Sequence, residues 1–227
     1  MPAIAAPLPE DVAAARDGLL AFAEREVMPR HQQNKGFFED PRAMFELDGR
    51  FSPRLLALIR EVRMASASAG FFHMCVPEAL GGGGLGHLAY YAAWEALFHR
   101  CGPQNWLMLY ALSHWAFGPS RLLEHVSEEA RERIMPGLMS GTESMCFGLS
   151  EPNAGSDASM IGTRATSDGD GWRLNGRKIW TTNAPVANYC IVFAVTDARA
   201  AAAKRGGISA FLVPTDSPGF TVQRVIK

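Results

Sequence analysis

Hydrophobic residues in the first part of the chain recur at the spacing of α-helices. Between Val12 and Val27 they lie three or four residues apart on one face, which predicts a helix that Pro29 ends within about a turn. A second helix is predicted to begin at Ser52, a cap residue followed by proline, and to end at Gly70. The chain therefore opens as a helical region.

Helical spacing continues beyond a glycine-rich break at 81–86. Two further helices are predicted over 87–100 and 104–117, because Gly-Pro pairs separate and end them. Another begins after Ser127, where a cap residue precedes two glutamates that the helix dipole favours. Pro136 and Gly141 are expected to end the helical half.

After Gly141 the hydrophobic spacing changes towards alternation, which is typical of β-strands. Turn signals at 168–171 and 175–176 predict hairpins, the second with a type I′ turn. Helices followed by strands predict the α+β class, with an all-α helical N-terminal domain over 1–142 and an antiparallel, β-barrel-like middle domain over 143–227 that is expected to be truncated. The runs that predict strands are 144–149, 160–167, 171–174, 177–182, 188–196, 207–213 and 219–225.

The composition is that of a globular protein, and it narrows the class of partner. Among 227 residues, 22 basic and 23 acidic side chains leave a formal net charge of -1, and no basic run predicts nucleic-acid binding. The partner is therefore expected to be a small molecule or another protein. The four cysteines form no C-x-x-C pair, so neither a disulfide framework nor a zinc site is predicted. Without a secretory signal or a stretch long enough for a membrane span, the chain is expected to be cytoplasmic.

Several features that suggest chemistry have simpler interpretations. The glycine run at 81–86 satisfies G-x-G-x-x-G, but no βαβ context follows it, which favours a flexible loop over a dinucleotide site. The acidic turn at 168–171 lacks oxygen ligands at the later positions of a calcium loop. Ser150 lacks the second glycine of a hydrolase nucleophile elbow, and His114 is better explained by helix packing.

Two segments of the β half are candidates for binding chemistry. The first, 147–157, runs from a strand into a turn rich in Ser, Asn, Gly and Asp, whose backbone N–H groups could cradle a phosphate or an electron-rich ring edge. The second, 176–184, contains Trp180 and two threonine hydroxyls, which could pack on a planar cofactor or fill an ordinary core. Their occurrence in this order is more specific than either segment alone.

The two segments resemble the signatures of the acyl-CoA dehydrogenase family. Residues 148–157, GLSEPNAGSD, are similar to the first signature, and 176–184, GRKIWTTNA, resemble the family's G-x-K-x-W-I-T-N-A segment. The V-P-E sequence at 76–78, the helix after Ser127 and the run over 207–220 resemble further parts of the family. Two positions depart from the pattern: Thr181 stands where isoleucine is common, and Met160 stands where a small residue is usual. The resemblance covers well over half of a family member.

The resemblance implies non-covalently bound FAD and assigns residues to it. The strand and loop at the first segment would contact the isoalloxazine ring, while the second segment would flank it with the Thr182 hydroxyl near the hydride-accepting nitrogen. Ser156 matches a position that touches the thioester arm of the substrate. The implied cofactor-binding residues are Phe147, Leu149, Ser150, Trp180, Thr181 and Thr182. No metal is implied.

The implied reaction is α,β-dehydrogenation of an acyl-CoA thioester, as in fatty-acid β-oxidation, in which a carboxylate removes the α-proton and the β-hydrogen leaves as hydride to the flavin. The family's base is a glutamate of a C-terminal helical domain, so it is expected C-terminal to Lys227, and Glu151 is expected to be structural. The implied partners are electron-transfer flavoprotein or a similar acceptor, and further copies in a homo-oligomer. Two alternatives stay open: a same-fold flavin oxidase or monooxygenase, and a truncated, non-catalytic module that binds acyl-CoA or a protein.

Overall fold

A computed structural model describes residues 7–226. The described residues divide into a helical unit, which comprises 7–143 and 224–226, and a β unit, Ser144–Gln223. Within residues 7–226, no helix combines the length and the hydropathy that a membrane crossing requires.

The helical unit begins with one long rod. α1 (Glu10–Phe22) continues through a π-helical turn (Ala23–Val27) into α2 (Met28–Gln33). The prediction that this helix ends within about a turn of Pro29 is confirmed, since α2 stops at Gln33. Pro29 itself lies inside the continuous rod, directly after the wider π turn, and its ring does not interrupt the helix at that point.

The remaining helices of this unit include two whose starts were predicted from their caps. The Ser127 hydroxyl accepts a hydrogen bond from the Ala130 N–H at 3.3 Å, and Ser52 caps its helix in the same way, so both predicted starts are confirmed. The helix predicted over 87–100 is confirmed as well. These helices are α3 (Lys35–Phe38), α4 (Pro41–Met44), α5 (Pro53–Ser68), α6 (Gly86–Cys101) and α7 (Glu128–Met139).

The helix predicted over 104–117 is wrong. The stretch contains a 3₁₀ turn, Trp106–Tyr110, which Asn105 caps by accepting a hydrogen bond from the Met108 N–H at 3.2 Å. Further along, the Ser113 N–H donates to the Phe72 carbonyl at 2.8 Å. A cap and a tertiary contact thus satisfy backbone groups that a helix would otherwise pair.

The core of the helical unit gathers the apolar faces of α1, α5 and α6 with the 3₁₀ turn. Its fully buried side chains include Leu19, Leu55, Leu97 and Leu107, each with no exposed surface. Burial of this apolar area is the main force that holds the helices together.

The β unit contains a five-stranded mixed sheet with β4 at its centre. β4 pairs in parallel with β1, antiparallel with β5, and through the single bridge Arg164↔Val195 with β2. β2 and β3 form the hairpin that the turn signal at 168–171 predicted. A short helix, α8 (Ala198–Ala202), precedes the last strand. The strands are β1 (Met145–Gly148), β2 (Arg164–Asp168), β3 (Gly171–Asn175), β4 (Tyr189–Val195) and β5 (Ile208–Pro214).

The predicted α+β class is confirmed, but the sheet is not purely antiparallel. β1 and β4 are joined by the long connection 149–188, which contains the β2–β3 hairpin, and such a crossover returns the chain in the parallel direction. The pairing order does not close on itself, so the sheet is barrel-like only in a loose sense.

Two predicted strands and one predicted turn are wrong. Residues 177–182 and 219–225 form no strand. The second hairpin is absent as well, because Gly176 lies outside the left-handed region that a type I′ turn requires. This glycine instead allows a close approach: a Cβ there would lie 2.7 Å from the Thr163 Cα.

Candidate functional site

The turn after β1 is compact and held by its own backbone. The Glu151 N–H donates to the Ala154 carbonyl at 2.8 Å, and the Ala154 N–H donates back at 3.1 Å. Pro152 and Asn153, between them, are exposed. The Gly, Asn and Ser residues that the sequence places here therefore make a tight turn at the end of a buried strand.

Glu151 holds this turn in place through the contacts of its buried carboxylate. Its carboxylate, only 9% exposed, accepts hydrogen bonds from the Gly162 N–H at 2.6 Å, from the Thr163 N–H at 3.0 Å and from the Thr163 hydroxyl. It also forms an ion pair with Lys178, whose Nζ lies 2.7 Å from Oε1. The carboxylate is thus satisfied on both oxygens, as a buried charge requires.

These contacts determine the charge state of Glu151. Burial acts to raise the pKa of this carboxyl, but hydrogen bonds from Lys178, Thr163 and Gly162 outweigh it and lower the pKa to about 2. Glu151 is therefore an anion at neutral pH. Its predicted structural role agrees with this geometry.

Lys178 and Ile179 bring the two signature segments together. The Lys178 ammonium donates to the Leu149 carbonyl at 3.1 Å as well as to Glu151, and the Ile179 N–H donates to the Ser150 carbonyl at 2.9 Å. Residues almost thirty positions apart in the sequence thus share one site. The predicted residues Leu149 and Ser150 lie at its centre.

The segment after Ile179 has an unusual backbone. Trp180 (φ 57°) and Asn183 (φ 73°) both adopt the left-handed region, which is unfavourable for a bulky side chain such as tryptophan. Asn183 tolerates it, and its amide donates to the Met145 carbonyl at 2.9 Å and to the Ser144 hydroxyl at 3.1 Å. Strain of this kind is concentrated at functional sites.

The threonines between these residues differ in exposure. The Thr181 hydroxyl is buried without a hydrogen-bond partner among the described residues, whereas Thr182 is exposed. Trp180 is 68% exposed, although large aromatic side chains usually bury their area. Neither feature is expected in an ordinary core strand.

The other two predicted site residues lie at the margins of this cluster. Phe147 stands on β1, with its ring centroid 4.9 Å from that of Phe193 on β4. Ser156 is exposed in the loop beyond Ala154, beside Asp157. The ion pair of Asp157 with Lys204 (2.8 Å) and the contacts from Ser159 hold the pKa of this aspartate at about 2.

Sequence reasoning missed Lys178, Thr163 and Asn183 as parts of the site. Lys178 and Asn183 match the lysine and the asparagine of the family's G-x-K-x-W-I-T-N-A segment, which was the available signal, but neither was assigned a role. Nothing in the spacing showed that Lys178 would pair with Glu151. Thr163 and Gly162 lie on the approach to β2 and carried no separate signal.

The residues fit a planar, electron-rich cofactor. The exposed Trp180 offers a flat apolar surface, the Thr181 oxygen lacks a partner among the described residues, and the Ser150 N–H has no hydrogen-bond acceptor within residues 7–226. Within residues 7–226, no group of three side chains that could hold a metal ion occurs.

Comparison with known proteins finds similarity over nearly the whole chain. The family model described as "Acyl-CoA dehydrogenase, N-terminal domain" matches residues 9–142, and "Acyl-CoA dehydrogenase, middle domain" matches residues 146–227. The short-chain specific acyl-CoA dehydrogenase of Bos taurus mitochondria is 35% identical over 215 residues, which are 95% of this chain and 46% of that protein. The chain thus spans about half the length of the curated relatives that it matches, which is less than the well over half that the resemblance implied.

Solved structures show the same relation. A glutaryl-CoA dehydrogenase from Mycobacterium smegmatis in complex with FADH2 is 27% identical with a TM-score of 0.65, covering 94% of this chain and 48% of that one. The prolyl acyl carrier protein oxidase AnaB is 26% identical with a TM-score of 0.69, covering 94% and 50%. The two domain matches, the shared fold and the paired signature segments show that this chain belongs to the acyl-CoA dehydrogenase family.

Proposed function

We propose that this chain forms the flavin-binding part of an enzyme that oxidises an acyl-CoA thioester at its α,β bond. The observation that carries the proposal is the junction at Lys178 and Ile179, which joins the two signature segments beside the exposed Trp180. The names of the relatives support the reaction class, and the FADH2 complex of one of them supports FAD as the cofactor.

The site residues have separate tasks in this proposal. Trp180 packs against the isoalloxazine ring, while the Ser150 N–H and the hydroxyls of Thr181 and Thr182 donate hydrogen bonds to it. Leu149 and Phe147 supply the backbone and the apolar surface on which the ring rests. When bound, the flavin supplies the acceptor for the hydride that leaves the β-carbon. Ser156 contacts the thioester arm of the substrate.

The catalytic base does not come from the carboxylates of this site. Glu151 and Asp157 both have a pKa of about 2 and both are held in ion pairs, so neither accepts a proton readily near neutral pH. In agreement with what the family resemblance implies, we propose that the base is a glutamate C-terminal to Lys227. Electron-transfer flavoprotein or a similar acceptor, and a homo-oligomeric assembly, belong to the same proposal.

Anaerobic reduction tests the proposal. Protein that carries the whole chain together with any C-terminal extension is expected to copurify with flavin, whose visible absorption bleaches when an acyl-CoA is added without oxygen. Thr182→Ala is expected to slow this bleaching by about tenfold, since one hydrogen bond to the reacting group is lost. Thr166→Ala, an exposed threonine on β2, is the matched control. Flavin that stays oxidised with every acyl-CoA would contradict the dehydrogenation.

The similarity to an oxidase of the same fold supports a second candidate, a flavin oxidase. The candidates differ in the rate at which oxygen reoxidises the reduced flavin, since a dehydrogenase passes its electrons to a protein acceptor. Reoxidation within the turnover time would favour the oxidase. A third candidate, a non-catalytic binding module, predicts no flavin absorption, and stoichiometric flavin in the purified protein would rule it out.

A further inference from the structure

Among the described contacts, only the Lys178 side chain reaches both the backbone at the turn after β1 and Glu151, the buried carboxylate that holds this turn in place. Its ammonium donates to the Leu149 carbonyl at 3.1 Å and to the Glu151 carboxylate at 2.7 Å. The side chain is 12% exposed and its partner Glu151 is 9% exposed. Because the pair is shielded from water, it holds its geometry more firmly than a surface ion pair would.

The contact with Leu149 decides the direction of a neighbouring donor. The peptide bond between Leu149 and Ser150 is planar and trans, so its C=O and N–H point in opposite directions. Since the C=O points at Lys178, the Ser150 N–H points away from it, and it has no hydrogen-bond partner within residues 7–226. A cation on the carbonyl also polarises the peptide and strengthens its N–H as a donor.

The position of Lys178 is fixed by its partner Glu151, which neighbouring groups hold in place. Glu151 receives hydrogen bonds from the Gly162 and Thr163 N–H groups and from the Thr163 hydroxyl, which leave its Oε1 facing Lys178. On the other side of Lys178, the Ile179 N–H binds the Ser150 carbonyl at 2.9 Å. The peptide planes on both sides of Ser150 are therefore oriented by one contiguous network.

We propose that Lys178, held by Glu151, is a positioning residue that aims and polarises the Ser150 N–H towards an acceptor atom on the edge of the bound flavin. The inference rests on the proposed flavin site and deepens it, because it names a residue that would act through the backbone without touching the cofactor. The Lys178–Glu151 ion pair then increases the affinity for the cofactor as well as the stability of the fold.

Flavin affinity measured by fluorescence titration tests this role, in protein carrying the whole chain and at a temperature where each variant is folded. Lys178→Met is expected to weaken FAD binding by about tenfold, the worth of one charge-assisted hydrogen bond. Lys178→Arg keeps the cation and is expected to recover most of that loss. Arg173→Met removes the cation of an exposed ion pair with Asp168 on the β2–β3 hairpin of the same unit and is expected to leave the affinity unchanged.

Glu151→Gln provides the second variant, because Lys178→Met leaves a buried carboxylate without its cation and can fail to fold. Glu151→Gln keeps the lysine but loosens it, and a loss of affinity smaller than that of Lys178→Met is expected. Unchanged affinity in every folded variant, with lowered thermal stability alone, would overturn the positioning role while the flavin site stands. Wild-type protein that binds no flavin would overturn the proposed function and this inference together.

Discussion

At the residue scale, the backbone of Trp180 is the least expected feature of the site. A tryptophan at φ 57° with 68% of its surface exposed has neither the conformation nor the burial that its side chain favours. The exposure is explained if the ring packs against a cofactor, since binding recovers the apolar area. The cofactor contacts of Trp180 and of the other predicted site residues stay a proposal.

Two replacements of Trp180 separate the effect of backbone strain on stability from the effect of the indole ring on flavin binding. Trp180→Gly is expected to be about 1 kcal/mol more stable than Trp180→Ala, because glycine adopts the left-handed region freely and alanine does not. Both variants lose the ring, so both are expected to release flavin equally. Denaturant titration and the flavin content of the purified proteins measure the two effects. An alanine variant as stable as the glycine variant would show that the position is unstrained.

At the scale of elements, the two signature segments form a single unit without pairing as strands. Lys178 and Asn183 contact the carbonyls of Leu149 and Met145 through their side chains, and the Ile179 N–H adds one backbone hydrogen bond to Ser150, so the second segment runs alongside β1 in the opposite direction. A regular ladder would have paired the backbone along the whole second segment. This attachment leaves residues 180–182 outside any strand pairing and available for a ligand.

The buried carboxylate that holds this unit makes its stability depend on pH. Folding lowers the pKa of Glu151 to about 2, below the ordinary value of about 4.3. The stabilisation is therefore complete above about pH 4.3 and is lost as the pH falls towards about 2. Denaturant unfolding at a series of acidic pH values is expected to show a steep loss in wild type and a shallower one in Glu151→Gln.

Asp157→Asn is the control for this pH dependence. The pKa of Asp157 is lowered to about 2 as well, chiefly by its hydrogen bond with Lys204, but the pair is exposed and salt screens it. In high salt this variant is expected to keep the wild-type slope. If the stability of Glu151→Gln fell with pH as steeply as that of wild type, the burial of the Glu151–Lys178 ion pair would be contradicted.

At the scale of the whole molecule, the helical unit depends on one apolar core. Leu97 on α6 is completely buried, whereas Leu88 on the same helix is 54% exposed. Leu97→Ala is expected to lower the free energy of unfolding by about 2–5 kcal/mol through lost burial and a residual cavity, and Leu88→Ala by less than about 1 kcal/mol. Chemical denaturation of the two variants compares them directly. Equal losses would contradict the difference in burial between the two leucines.

The features that the sequence determined by itself are local. The cap residues Ser52 and Ser127 fix the starts of α5 and α7, and apolar periodicity fixes α6, because these signals act within one or two turns of chain. The hairpin at 168–171 likewise needs only its own turn residues. The paired segments identified the family before any contact between them was known.

Only the tertiary structure decided the features that depend on distant partners. The stretch 104–117 is not a helix because Ser113 bonds to Phe72, and 177–182 is not a strand because Lys178 and Ile179 bond to the turn after β1. Local β propensity favoured pairing there, but a buried ion pair between residues 27 positions apart outweighed it. Spacing along a chain carries no information about such a contact, since it forms only once the sheet has brought the two segments to the same edge.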